Sequence, residues 1–318
     1  MKDAVSWLLL VLVVLLVALP YLPSSVGSLM LLLGFATFPV ILCNAVAAMV
    51  RHGRWRWAHG IAVAACLPLL PSYIPLIPHT PDPSSTTLRL VSWNVSNFMV
   101  SCDTMHQATR HINHLSPDII CLQERPHESK VPWDDIRKAF PCHPHAVRNS
   151  HEDEVLNLAI LSSHPIVGHG ERQFEGTYNR YLWADIHVGK DTLRVFNVHL
   201  QTMGLSPNIK WTDVPTVFTN TVERDRQADL LYDDVGNSPH PVLLCGDFND
   251  IPGGYPARRL RLKLIDLSCR WPLCGTFKGM GSVKIDYMMC DPDIQPLSYQ
   301  LADTPWSDHK LQVGEVAL

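Results

Sequence analysis

Residues 242–249 read Val-Leu-Leu-Cys-Gly-Asp-Phe-Asn: an apolar run, then a glycine, an acid, an aromatic ring and an amide. A short run without polar alternation suits a strand buried on both faces. Asp247 and Asn249 then fall at its end, where side chains from distant segments can meet on a sheet rim. Taken alone, an acid or amide beside glycine is usually a turn residue. The same placement recurs, however, in both directions along the chain. Asn94 follows Leu-Val-Ser-Trp, Glu124 follows Ile-Ile-Cys-Leu-Gln, and His199 lies in Phe-Asn-Val-His-Leu. Asp286 lies in Lys-Ile-Asp-Tyr-Met, and Asp308-His309 precede Lys-Leu-Gln-Val. Recurrence in six segments makes a shared site a better account than six unrelated turns.

The surrounding pattern predicts strands over 88–95, 118–123, 156–162, 181–188, 193–200, 242–245, 284–290 and 310–316. Helices are predicted over 103–115, 133–140, 220–235 and 255–264. Hairpins and strand–helix–strand units both occur, which argues for mixed sheets covered by helices.

The chain has 318 residues and a formal charge of −4, unevenly spread. No charged residue occurs between Asp3 and Arg51, nor between Trp57 and Pro81. Lys2, Arg51, Arg54 and Arg56 are the only bases before Asp82, and Asp3 the only acid. Of 26 bases and 30 acids, the part from Asp82 onward therefore holds 22 and 29, a net −7. An acidic domain has no general electrostatic hold on a polyanion, which weakens a nucleic-acid reading. A spanning helix needs about 20 apolar residues, and three runs qualify: 4–22, 28–50 and 58–77, the last interrupted by prolines. Arg51-His-Gly-Arg-Trp-Arg-Trp between the second and third marks a cytoplasmic loop. The expectation is thus a multi-pass membrane anchor over 1–79 with a cytoplasmic N-terminus, a Pro/Ser linker over 80–87, and an extracytoplasmic catalytic domain over 88–318. A cleaved signal peptide at the N-terminus is the alternative, but it leaves two apolar runs unexplained.

Cys121 and Cys245 lie inside strand patterns and read as core thiols. A bridge such as Cys269 to Cys274 is open to an oxidising compartment, though spacing fixes no pairing. His106, His111 and His114 share one side of a helix and raise zinc, but no acid or cysteine of matching spacing follows them. A solvated helix face is the better reading.

Trp93-Asn94, Leu122-Gln123-Glu124, Asn197-Val198-His199-Leu200, Gly246-Asp247-Phe248-Asn249, Ile285-Asp286-Tyr287 and Ser307-Asp308-His309, in this order, resemble the motifs of the endonuclease/exonuclease/phosphatase superfamily. The likeness runs over about residues 88–316 and is closest to the deoxyribonuclease and sphingomyelinase branches. It implies a four-layered α/β sandwich, with two central mixed sheets flanked by helices and here preceded by three transmembrane helices. It also implies a hydrolase of phosphoric esters that uses a divalent cation, Mg²⁺ first and Mn²⁺ or Ca²⁺ as alternatives. A hard cation suits oxygen donors and offsets the charge that makes a phosphodiester resist attack. Glu124, Asn94 and Asp308 are then the expected metal residues. Asp247 would activate water, with Asn249 holding it or a phosphate oxygen. His309, assisted by Asp308 or Asp286, would donate to the phosphoryl oxygen, and His199 would serve the phosphate and leaving group. Arg180, Tyr178 and Asn157 are the expected substrate-binding residues: Arg180 as a phosphate ligand, Tyr178 or Tyr181 as a phenol donor, and Asn157 as a residue that orders the site. In having His199, and in lacking clustered Lys/Arg, the chain departs from the abasic-site endonuclease branch.

Residues 204–218 are apolar for a loop and read either as buried or as a lipid-facing lip beside the site. The leading expectation is a membrane-anchored phosphoesterase acting on a phosphodiester or pyrophosphate, with a lipid-linked substrate among the candidates. A tethered nuclease is the alternative, and a catalytically inactive binding module a third. No protein partner follows from the sequence.

Overall fold

The computed structural model describes residues 2–22, 24–72, 85–100, 102–152, 156–204, 210–268, 275–279 and 282–318. The chain begins with helices α1 (Lys2–Ala18), α2 (Gly27–Val50) and α3 (Arg54–Ala65). There follow β1 (Thr87–Asn94), α4 (Cys102–His114), β2 (Ile119–Arg125), α5 (Trp133–Lys138), β3 (His145–Arg148), β4 (Asn157–Ser162) and β5 (Ile166–Gln173). Next come β6 (Arg180–Val188), β7 (Asp191–His199), α6 (Val214–Gly236), β8 (Val242–Asp247), α7 (Tyr255–Leu260) and β9 (Ile265–Asp266). The chain closes with β10 (Asp286–Cys290), β11 (Gln295–Ala302) and β12 (Leu311–Ala317).

The strands form two mixed six-stranded sheets, ordered β11-β12-β1-β2-β4-β3 and β5-β6-β7-β8-β10-β9. Each is built around one parallel pair, β1 with β2 and β7 with β8, flanked by antiparallel neighbours. Leu88, Leu90, Ile119 and Ile160 of the first sheet meet Leu182, Val195, Leu243 and Met288 of the second in one buried core. The outer face of the first sheet, with Trp93 and Leu122, packs on Met105 and Ile112 of α4 and Ile136 of α5. The second sheet's outer face, with Phe196 and Tyr287, packs on Leu231 of α6 and Leu260 of α7. Cys121 and Cys245 are core thiols. The Cys269–Cys274 pairing lies outside the described residues, as do the linker up to residue 84 and residues 205–209 of the apolar loop. The last part of that stretch is helix rather than loop: α6 starts at Val214, and Val217 is buried against Met203 and Ile251.

The N-terminal helices correct an expectation. Among the described residues no helix is long and apolar enough to cross a membrane, so the three spans, the membrane partner and the extracytoplasmic placement fall together. The turn at Leu19–Tyr21, which contains Pro20, ends α1 after 17 residues, and a turn with Pro68 follows α3 after 12. At about 1.5 Å per residue both fall short of the ~30 Å of a hydrocarbon core. The longer α2 runs unbroken through Pro39 and buries two polar side chains, Thr37 and Asn44, which donate back to the Leu33 and Val40 carbonyls. The three helices fold on one another around a polar staple, with His59 Nδ1 2.8 Å from Asn44 Oδ1 and Nε2 3.1 Å from Ser6 Oγ. Their inner face joins the α6/α7 core through Leu16, Leu33 and Val40. Buried Arg258 of α7 donates to the Leu16 carbonyl and the Thr37 hydroxyl, satisfying both. Their outer face stays apolar, with Trp7, Leu8, Val14, Met49 and Trp57 exposed.

Two local devices set the strands that carry the polar ends. Gly246 has φ 140°, and a Cβ there would stand 2.0 Å from the Val198 carbonyl oxygen of β7. Only glycine lets β8 pass this close. At the start of β10, buried Lys284 donates to Ser268 Oγ and lies 3.4 Å from Asp266 Oδ2, which also accepts from Arg261. Burial pushes the Asp266 carboxyl up, but Lys284 and Arg261 outweigh it and hold the group far below the usual range.

Gly246→Ala is expected to lower stability by about 2–4 kcal/mol, from backbone strain plus overpacking, read as the urea midpoint. An unchanged midpoint would show that β7 and β8 do not approach as described. Asp266→Asn removes the anion that faces buried Lys284 and partly buried Arg261 and is expected to cost about 3–5 kcal/mol. With its folded pKa depressed, Asp266 stabilises above about pH 4, the unfolded carboxyl range. That contribution is lost as pH falls through the folded value, so the difference between variant and parent should shrink in acid.

Candidate active site

The site lies where the two sheets open at one end, and two of its residues, Glu124 and Asn249, are delivered by local irregularities. Opposite β4, the register of β2 shifts between Leu122 and Arg125, so Gln123 and Glu124 sit on a bulge. Glu124 takes φ 51° there, which re-aims its carboxylate into the cleft. Asn249, just past β8, has φ 52°. Such left-handed residues cost about 1–3 kcal/mol each and mark positions that the surrounding fold must hold in place. Asp286 starts β10 directly opposite Asp247 in register. His309 precedes β12, and its carbonyl accepts from the Trp93 indole at 3.0 Å. Ser307 Oγ donates to the Asn94 carbonyl at 2.7 Å and accepts from the His309 amide at 3.0 Å, tying this corner to β1.

These side chains form a continuous polar chain. Asn94 Nδ2 donates to Glu124 Oε1 at 2.9 Å and to Asp247 Oδ2 at 3.0 Å. Its own Oδ1 accepts from the Ser96 amide, so Asn94 turns its nitrogen to the carboxylates and its oxygen away from them. His199 Nε2 lies 3.1 Å from Glu124 Oε1 and 3.9 Å from Asp247 Oδ2. His309 Nδ1 lies 2.9 Å from Asp286 Oδ2, and its Nε2 is 3.7 Å from Asp247 Oδ2. Asp247 Oδ1 accepts from the Asn249 amide at 2.8 Å. Asn249 Nδ2 donates to the Leu200 carbonyl at 3.0 Å, which fixes the turn after β8 against the turn after β7.

Burial and pairing tune each group. Burial pushes Asp247 up, nearby Asp286 adds to it, and the two histidines and the Asn249 amide only partly offset them. The result is about 6. Burial disfavours the His309 cation, but Asp286 and Asp247 outweigh it and raise the imidazole to about 10. His199 is likewise raised against burial by Glu124 and Asp247. Glu124, pushed up by burial, ends below the usual range because His199 and Asn94 stabilise its charge.

The cleft these residues share has a volume of about 960 Å³ and is lined by Glu124, His199, Asp247, Asn249, Asp308 and His309. Thr177, Tyr178, Asn179 and Gln201 form a second polar wall, and Met203, Ile251, Phe277 and Val283 an apolar one. Asp286 is buried behind His309 and faces its ring. Tyr178 is exposed at the mouth. Arg180 and Asn157 are corrections. The Arg180 guanidinium is buried, 2.8 Å from the His151 carbonyl and 3.8 Å from Glu171, and it does not line the cleft. Asn157 is buried between Asn149 and the Arg125 carbonyl, where it orders the β2–β4 bulge away from the cleft.

Among the described residues, two triads bring ligand atoms within 4.8 Å of one another: Glu124, His199 and Asp247, and Asp247, Asp286 and His309. The donor set of the first, two carboxylates with one imidazole and Asp308 on the same wall, fits a divalent cation that keeps several waters. The histidines of α4 form no such group: His106 and His114 are exposed, and His111 packs on Trp306. Thr276 and Asn179 support the site without having been singled out from sequence, and Ser307 stands out there only as part of its motif. Thr276 Oγ1 accepts from the amides of Ile285 and Asp286, and nothing in its local pattern announces this.

The folded chain is similar to several solved structures. One is an endonuclease/exonuclease/phosphatase family protein from Bacteroides thetaiotaomicron, at 16% identity and TM-score 0.58, covering 74% of this chain and 96% of that one. A second, from Beutenbergia cavernae, shows 19% identity and TM-score 0.54, covering 73% and 72%. A third is D. rerio TDP2 complexed with single strand DNA product, at 17% identity and TM-score 0.55, covering 73% and 99%. At such identities the likeness speaks for the fold alone. No curated protein matches the chain. The endonuclease/exonuclease/phosphatase family model matches residues 91–309, more than half of the chain and nearly all of the span from β1 to His309. The chain belongs to the endonuclease/exonuclease/phosphatase family.

Proposed function

We propose that this chain is a divalent-metal-dependent phosphoesterase that cleaves a phosphodiester or pyrophosphate bond by in-line attack of water. The observation that carries the reading is the meeting of Asn94, Glu124, His199, Asp247 and His309 within hydrogen-bonding or near-contact distance at one cleft. The catalytic unit is proposed to run over residues 88–318, its sheets and flanking helices stacked as a four-layered sandwich.

Glu124 and Asp308 would hold the cation, directly or through water, with Asn94 fixing the Glu124 carboxylate beside it. Mg²⁺ is the preferred ion in this reading because the donors are hard oxygens, and Mn²⁺ or Ca²⁺ would substitute. A bound cation supplies Lewis-acid polarisation of a phosphoryl oxygen and offsets its charge. Asp247 would take the proton of the attacking water, with Asn249 orienting that water. His309, kept cationic by Asp286, would donate to the phosphoryl oxygen as charge builds there. His199 would serve the leaving oxygen.

A nuclease is the second reading, favoured by the fold shared with a protein seen with single strand DNA product. The described lining of the cleft, however, has carboxylates at Glu124, Glu175, Glu223, Asp247 and Asp308, and neither lysine nor arginine. That gives little electrostatic grip on a strand. The lipid-linked reading rested on the membrane anchor and lost its support with it. An inactive binding module is disfavoured by the complete set of acids, amides and histidines.

The test is hydrolysis of bis(4-nitrophenyl) phosphate and of an oligonucleotide by the full chain. Activity should vanish with EDTA and return with Mg²⁺ or Mn²⁺. Glu124→Gln and His309→Ala should each lower turnover ~10²-fold or more. Rate should rise with pH as Asp247 ionises, at or below about 6 because a nearby cation favours the carboxylate. It should fall as His309 loses its proton near 10. Full activity in EDTA, or from Glu124→Gln, would sink the assignment.

A further inference from the structure

His199 reaches the cleft through Nε2, and the orientation of its ring is not fixed by its own backbone. The second torsion of a histidine is broad, so a partner must decide which way the ring faces. That partner is Asn179, a buried residue immediately before β6, whose Oδ1 lies 3.0 Å from His199 Nδ1. Asn179 is itself held on three sides. Its Nδ2 donates to Gln201 Oε1, its backbone amide donates to Thr177 Oγ1 at 3.2 Å, and its carbonyl accepts from Phe174 at 3.0 Å. Gln201 is anchored in turn, its amide donating to Gln227 Oε1 at 2.8 Å. Gln227 Nε2 donates to the Glu223 carboxylate at 3.2 Å. A backbone amide can only donate and a carboxylate only accept, so the two ends of Gln227 have one consistent arrangement. With the Asn179 nitrogen occupied by Gln201, its oxygen faces the imidazole.

We propose that Asn179 is a positioning residue that accepts the Nδ1 proton of His199 and thereby holds Nε2 between Glu124 and Asp247. The inference rests on the phosphoesterase reading for its kinetic consequence, but not for its geometry. The relay Gln227–Gln201–Asn179–His199 links α6 to the cleft, so the helix sets the ring angle from a distance. Neither Arg180 nor Tyr178 takes this part: the one is buried elsewhere and the other is exposed at the mouth. Asn179 makes no new bond in the reaction and acts through His199 alone.

Two measurements on the full chain test this. The first compares Asn179→Leu, which keeps the shape without an acceptor, with Asn179→Asp, which keeps an oxygen facing Nδ1. The leucine variant should lose ~10–100-fold in kcat on bis(4-nitrophenyl) phosphate, as partners behind a working imidazole usually do. Its KM should stay within about twofold, since an angle rather than uniform binding is lost. The aspartate variant should recover most of that kcat. Equal losses in both variants, or none in the leucine variant, would overturn the proposal. The second is ¹⁵N-histidine NMR on the unvaried, EDTA-treated protein, with His199→Gln to assign the ring. It should show Nδ1 carrying a proton, and a bare, accepting Nδ1 would overturn the proposal. That readout needs neither turnover nor a foldable leucine variant. A failure of the phosphoesterase reading would show as no hydrolysis while the Nδ1 result stands.

Discussion

Everything at the site depends on one constraint: several ionisable groups are buried between two sheets and must satisfy one another. Asn94, from the first sheet, donates to Asp247 of the second, and His199 of the second pairs with Glu124 of the first. Behind them Gln123 donates to Asn197 at 2.7 Å, and Asn197 donates back to the Leu122 and Ala159 carbonyls. Buried polar networks are stabilising only when each member is paired. Apart from Gln123 Oε1, which has no partner among the described residues, the pairing ties the two sheets together as well as forming the site. Loss of one member would leave a charge stranded in a core that cannot solvate it.

The same constraint explains where the chain tolerates strain. Glu124 and Asn249 adopt left-handed backbone, Gly246 passes within touching distance of β7, and β2 bulges beside Glu124. Regular strands would send alternate side chains to opposite faces and could not bring these groups to one rim. The cost is offset by rigid surroundings, since the central strands that carry the motifs are almost wholly buried. Burial and then the neighbouring Asp286 raise Asp247, while Asp286 and Asp247 overcome burial to hold His309 cationic, so an acid and a base coexist in one cleft.

The N-terminal helices obey a different logic. The sequences of α1 and α2 are overwhelmingly apolar and the run after Trp57 is uncharged, which is why this segment reads as membrane-spanning. In the fold one side of that surface packs on α6 and α7, Arg258 caps a helix carbonyl and a hydroxyl across the joint, and His59 gathers Asn44 and Ser6. Composition reports how much apolar surface a segment has. It does not report what length of helix survives its prolines.

Residue order alone specifies the central strands and the polar residues that meet at the cleft. Strands β1, β2, β4, β6, β7, β8, β10 and β12 show as apolar or alternating runs because they lie inside the sheets and bury at least one face, and the acids, amides and histidines at their ends are set by position along the chain. The strands that stay hidden in the sequence, β3, β5, β9 and β11, are the four edges of the two sheets. An edge strand is half solvated, so its residues alternate weakly and carry no apolar run to read. Side-chain direction, by contrast, is settled only by how the sheets come together. Arg180 and Asn157 stand at strand ends, as the motif residues do, yet point into the protein, while Asn179, one residue from Arg180, faces His199. Neighbours along a strand point to opposite sides, and which side meets the cleft depends on the pairing of two sheets that no local pattern encodes.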